Sequence, residues 1–139
     1  MSFRFQRFVA VALSLSGASC AAGQEPNPCH QDFEITVTVD AEARVSWSPA
    51  CGMAELAISE SPAPGEPGPV RWWIRTPDHR NTIESGVEYG DAPSGTVTVK
   101  APEALEVGKA YDVSLLYYTP FGDGQSMLGS AGARFTLCR

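Results

Sequence analysis

Few side chains in this sequence carry the chemistry of a reactive site. His30 and His79 are its two histidines, and neither belongs to a His-x-x-x-His, a Cys-x-x-Cys or an Asp-rich calcium loop, so no metal site is expected. No Gly-x-Ser-x-Gly elbow and no phosphate-cradling glycine loop is present. Asp123-Gly124 is turn chemistry. Two acidic residues could converge in space as a hydrolytic pair, but a small β domain rarely builds the water-excluding pocket such a pair requires. The expectation is a protein that is not an enzyme and has no cofactor.

The four cysteines carry more. Met1 to Arg7 is a short basic region, and Phe8 to Leu15 is apolar but far below the roughly 20 residues of a spanning helix. Small residues follow to Ala22, so residues 1–22 read as a secretory signal peptide. Cys20, just after the apolar run, resembles the lipobox cysteine of bacterial lipoproteins. That resemblance implies cleavage before Cys20 and its lipidation, although Gly17 stands where the family places a branched apolar residue. Ordinary cleavage near Ala21 or Ala22 would discard Cys20 instead. The two routes predict a lipoprotein of the outer membrane or cell surface, or an unanchored periplasmic or extracellular protein.

Residues 23–28 form a Pro-containing spacer, and the folded domain is expected over 29–139. Three cysteines fall in it: Cys29, Cys51 and Cys138. If the strands on either side of Asp40–Ala43 pair as a hairpin, Cys29 and Cys51 come close at its open end, within reach of a disulfide. Closing that loop stabilises by roughly 3 kcal/mol in the chain-entropy model. The competing bridge, Cys29 to Cys138, would tie the ends of the domain together. Cys138 is otherwise expected at the opposite pole, unpaired or joined to another molecule.

Alternation of apolar and polar residues gives the elements that hold these groups. Phe33 to Val39 is a strand with Phe33, Ile35, Val37 and Val39 on one face, answered by Arg44 to Pro49 with Trp47 in the core. Glu55 to Glu60 is a third strand. Ser61 to Pro69 is too rich in proline for a central strand and is a surface loop. In Val70-Arg71-Trp72-Trp73-Ile74-Arg75, alternation turns Val70, Trp72 and Ile74 inward. Gly95 to Lys100, Tyr111 to Tyr118 and Ala133 to Leu137 complete seven strands, with Thr119 to Ser126 as a hairpin loop and Thr76 to Ser94 unread.

The run Leu105-x-x-Gly108-x-x-Tyr111-x-Val113 has the pattern of a tyrosine corner, in which the phenol hydroxyl bonds back to upstream backbone. Together with Trp47 it makes residues 33–137 similar to a fibronectin type III or immunoglobulin-like domain. The resemblance implies an all-β, seven-stranded antiparallel sandwich. The family's Arg-Gly-Asp adhesion motif is absent from the Thr119–Ser126 loop, so adhesion by that route is not carried over.

One face invites binding. Arg71, Trp73 and Arg75 point away from the core by alternation, as do Leu116 and Tyr118. In the family's strand order their strands flank the third strand in one sheet. An aromatic and apolar platform edged by arginines suits a sugar ring or a peptide. Alternatively, the Pro-rich loop covers Trp73, or the arginines merely stack on it. The formal net charge is −6, and loss of Arg4 and Arg7 with the leader takes it to −8. Nucleic acid is therefore a poor partner, and a membrane is reached only through a lipid anchor. The function expected is a non-catalytic, extracytoplasmic module that engages protein or glycan at the cell envelope. Its rivals are a structural envelope protein that dimerises through Cys138 or edge strands, and a small acidic-residue hydrolase.

Overall fold

The computed structural model of the protein describes residues 26–121 and 125–138. The expected signal peptide, with Cys20, and residues 23–25 of the spacer lie outside these residues. Eight strands form two antiparallel sheets, and among the described residues there is no helix. The strands are β1 Thr36–Val39, β2 Arg44–Ser48, β3 Glu55–Glu60, β4 Val70–Arg75, β5 Val87–Glu88, β6 Val97–Lys100, β7 Ala110–Phe121 and β8 Gln125–Thr136. One sheet has the order β1-β2-β5 and the other β6-β4-β3-β7-β8. A single apolar core lies between them, a sandwich-like arrangement.

Seven strands were expected and eight are present. The additional one is β5, whose Val87 pairs with Val45. Two residues are too short to show alternation, so only the partner strand reveals it. The expected Thr119–Ser126 loop is also shorter, because β7 runs on to Phe121 and β8 starts at Gln125. Strand β8 is accordingly much longer than the Ala133–Leu137 segment read from the sequence.

The first hairpin forms as its sequence dictates. Asp40 Oδ1 accepts from the Glu42 and Arg44 amides at 3.1 and 2.8 Å, an Asx-type turn. Val37 then faces Trp47 and Val39 faces Val45. Trp47 is 4% exposed, and its indole N–H donates to the Cys51 carbonyl at 2.7 Å. Cys51 in turn is joined to Cys29 across 22 residues. Cys138 is free and exposed.

On the opposite sheet, Leu56, Ile58, Trp72, Ile74, Tyr111, Val113, Leu115 and Tyr117 point into the core. Beside Val113, Leu115 and Tyr117 the paired positions of β8 are small: Ala133, Ala131 and Gly129. The Tyr117 ring lies over Gly129, where an added Cβ would stand 2.2 Å from the ring. The aromatic ring fills what a side chain there would otherwise fill.

The corner before β7 is built as its residues suggest. Gly108 has φ +83°, a conformation that glycine adopts without strain. This turns the chain so that the Glu106 amide donates to the Tyr111 hydroxyl at 2.7 Å. The Gly108 amide donates to the Leu137 carbonyl at 2.9 Å, closing the corner onto the end of β8. Leu105 packs partly buried against the core. Tyr111→Phe deletes the hydroxyl while keeping the ring, so it should lower unfolding free energy by about 1–2 kcal/mol. Urea denaturation followed by tryptophan fluorescence measures this, and an unchanged midpoint would show that the corner bond carries no net stability.

Candidate functional site

The outward face of the five-stranded sheet is assembled by register. Glu55 on β3 lies between Arg75 on β4 and Leu116 on β7. One row along, Ala57 lies between Trp73 and Ser114, and Ser114 is followed by Gly132 on β8. The structure thus brings Trp73, Arg75, Leu116 and Tyr118 onto one face, with β4 and β7 flanking β3. Small side chains at Ala57 and Ser114 leave a recess of ≈ 220 Å³, walled by Trp73, Val70, Leu116 and Glu55.

Two sequence expectations need correction here. Val70 does not enter the core: it is 38% exposed and lines the recess. The cause is a bulge, since Ile58 pairs with Trp72 but its neighbour Ser59 pairs with Val70. Arg71 is the extra residue, and the alternation of β4 reverses on passing it. Arg71 is also absent from the binding face. Its guanidinium is bound between the carboxylates of Glu60 and Glu103.

That ion cluster fixes the base of the face. Lys109 reaches Glu60 at 2.9 Å, and Lys100 bonds Glu103. The Glu103 amide donates to the Arg71 carbonyl at 3.0 Å. The Tyr89 hydroxyl donates to the Glu103 carbonyl at 2.6 Å. The bulge is thereby held from both its side chain and its main chain.

Two residues that the sequence reading did not single out complete the site. Glu55 is 8% exposed, and its Oε2 accepts from the Trp73 indole N–H at 3.2 Å. This locks the indole across the sheet. Burial first, and then the negative charge of Glu55, hold the Tyr118 phenol above its ordinary value. Asn81 is the second. Its amide donates to the Tyr118 carbonyl at 2.6 Å, and its Oδ1 accepts from the Tyr118 amide at 2.9 Å. The side chain stands in for a neighbouring strand where β7 has outrun β3. His79 packs on the Tyr118 ring, with centroids 4.7 Å apart.

A second recess, polar and of ≈ 720 Å³, lies where β2 and β5 meet the 82–94 segment, with Glu84, Glu88, Asp91 and Arg44 around it. Arg44 pairs with Glu88 there at 3.4 Å. Among the described residues no helix is long and apolar enough to cross a membrane. No protein-family model, no curated protein and no solved structure matches the chain.

The ion cluster makes stability depend on acid. Hydrogen bonds from Lys109 and then Arg71 hold the Glu60 carboxyl below its ordinary 4.5. Lys100 and then Arg71 do the same for Glu103. Below about 4.5 the unfolded chain takes up protons that the folded chain still refuses, so stability falls with pH through that window. It is fully present above it. Urea midpoints between pH 7 and 3 should show this fall, and a Glu60→Gln, Glu103→Gln double variant should give a flatter profile. Parallel profiles would show that the cluster is energetically silent.

Proposed function

We propose that this protein is a non-catalytic binding module of the fibronectin type III or immunoglobulin-like kind, exported from the cell, which engages protein or glycan at the envelope. The fold reading is supported by the division of the strands. The first two lie in one sheet, and the third and the last two lie in the other, as in immunoglobulin-like sandwiches. The bond from Tyr111 to Glu106 supports it too. The edge strand β6, beside β4, brings the larger sheet to five strands and the total to eight, which departs from the seven-stranded plan. A Cys29–Cys51 disulfide suits an oxidising compartment. Lipidation of Cys20 remains the proposed route to a membrane.

The observation that carries the binding role is the recess beside Trp73. Large apolar side chains on an outward sheet face normally lie flat on small neighbours or are covered. Here a half-buried tryptophan, held by Glu55, instead borders an open hollow with Val70 and Leu116. At ≈ 220 Å³ the hollow is smaller than the ~300–1,000 Å³ typical of small-molecule and cofactor sites. It suits a single side chain or one edge of a sugar better than a substrate enclosed for catalysis.

Trp73→Ala tests the role. The variant and the parent protein are each immobilised and presented with a glycan array and with fractionated envelope protein. Whatever the parent retains should be lost by Trp73→Ala, while the thermal midpoint falls by only a few degrees. Equal retention by a folded Trp73→Ala protein would remove this face from the proposal.

A further inference from the structure

We infer that the recess beside Trp73 receives a lysine side chain from a basic segment of a partner protein. The inference rests on the binding role proposed for this face and names its ligand. It begins from an imbalance of charge. Glu55 is the one carboxylate in the buried class among the described residues. The more exposed Glu60, Glu88, Glu103 and Glu106 are each ion-paired with a lysine or arginine. Glu55 has no such pair among the described residues, although it is the most desolvated of them. Its hydrogen-bond partner is a neutral donor, the Trp73 indole N–H at 3.2 Å, and the Tyr118 phenol that also interacts with it is neutral too.

A desolvated carboxylate without a counter-charge is costly, and an incoming cation offsets that cost. The walls select which cation. Val70, Ala57 and Leu116 offer apolar contact to a methylene stem, and the Trp73 indole offers its ring to an ammonium group. Because the Trp73 N–H already occupies Oε2, the carboxylate cannot present both oxygens freely to a guanidinium fork. A compact ammonium needs only one. The formal charge of −6 further favours a basic partner.

Arg75 is the opposing element and gives the inference its sharpest test. It is the cross-strand neighbour of Glu55, is exposed, and forms no ion pair with it. Its charge repels an arriving lysine and would attract an anionic ligand. Arg75→Gln should therefore strengthen a lysine contact and weaken an acidic one.

The experiment follows the tryptophan indole N–H signals of the ¹⁵N-labelled protein by NMR, with Trp73 assigned through Trp73→Phe. Three probes are titrated: a capped Gly-Lys-Gly-Lys-Gly peptide, the same peptide acetylated on its lysines, and a neutral cello-oligosaccharide. The lysine peptide should move the Trp73 signal. Acetylation, or Glu55→Gln, should weaken binding about tenfold or more, and Arg75→Gln should tighten it about two- to threefold. Glutamine keeps an oxygen for the Trp73 N–H, so the wall stays in place while the charge is lost. A response that survives acetylation or Glu55→Gln, or that only the oligosaccharide produces, overturns the lysine assignment and leaves the face a binding surface. A Trp73 signal unmoved by all three probes also overturns it. The face itself falls only if Trp73→Ala retains everything that the parent protein retains.

Discussion

The hydrogen bond from the Glu106 amide to the Tyr111 hydroxyl fixes the path of the segment on which the larger sheet depends. That segment, residues 101–109, leaves edge strand β6 and must cross the ends of β4 and β3 to start β7 on their far side. A crossing loop has no ladder to satisfy its backbone, so each polar group needs another partner. Tyr111 supplies one, Leu137 takes the Gly108 amide, and the Arg71 carbonyl takes the Glu103 amide. The loop is thus tied to β7, β8 and β4 in turn, and β7 can begin only in the register that closes the core.

The same segment shapes the outward face. Glu103 lies on it, and with Glu60 from the end of β3 it holds the Arg71 guanidinium. Arg71 is the residue that breaks the alternation of β4. An arginine left facing the solvent could let the strand slip back to strict alternation, with Val70 inward. Held between two carboxylates, with its carbonyl bonded to the loop, it keeps the bulge, and Val70 stays beside Trp73. Charge at one end of the sheet therefore sets which apolar groups line a hollow some residues away. This is a use of ion pairs in specifying a conformation, distinct from any contribution to net stability, which for half-exposed pairs is small.

Much of this was legible in the sequence, and what was missed shares one character. Strands β3 and β4 have the expected bounds, Trp47 is in the core, and the Leu105-Gly108-Tyr111 pattern marked the corner. Cys29 and Cys51 followed from the hairpin register. Alternation also separated two adjacent tryptophans correctly: Trp72 is fully buried and Trp73 faces outward. Each of these rests on local spacing or on one pairing. The bulge at Arg71, the two-residue strand at Val87 and the Asn81 contact with Tyr118 depend on a second strand's register or on contacts distant in the chain. Nothing local in Val70–Arg75 announces where alternation will reverse. Glu55 illustrates the limit best. Its outward direction was implicit in Leu56 and Ile58 pointing inward, but its burial arises from the neighbours that β4 and β7 bring to it.

Glu55 also shows why this face is unlike an ordinary solvated sheet surface. A glutamate opening a strand usually reaches into water, where its charge costs nothing. Here Trp73 leans across β3 to donate its indole N–H, and that contact removes the carboxylate from solvent while holding the ring in place. The two effects pull against each other. The hydrogen bond rigidifies the wall of the recess, and the burial leaves a negative charge poorly compensated within the chain. A leucine or glutamine at position 55 would relieve the second effect, but the leucine would release the indole and the glutamine would remove the charge. The residue present keeps a fixed aromatic wall and a carboxylate without an ion pair together. The proposed binding role of this face rests on that combination.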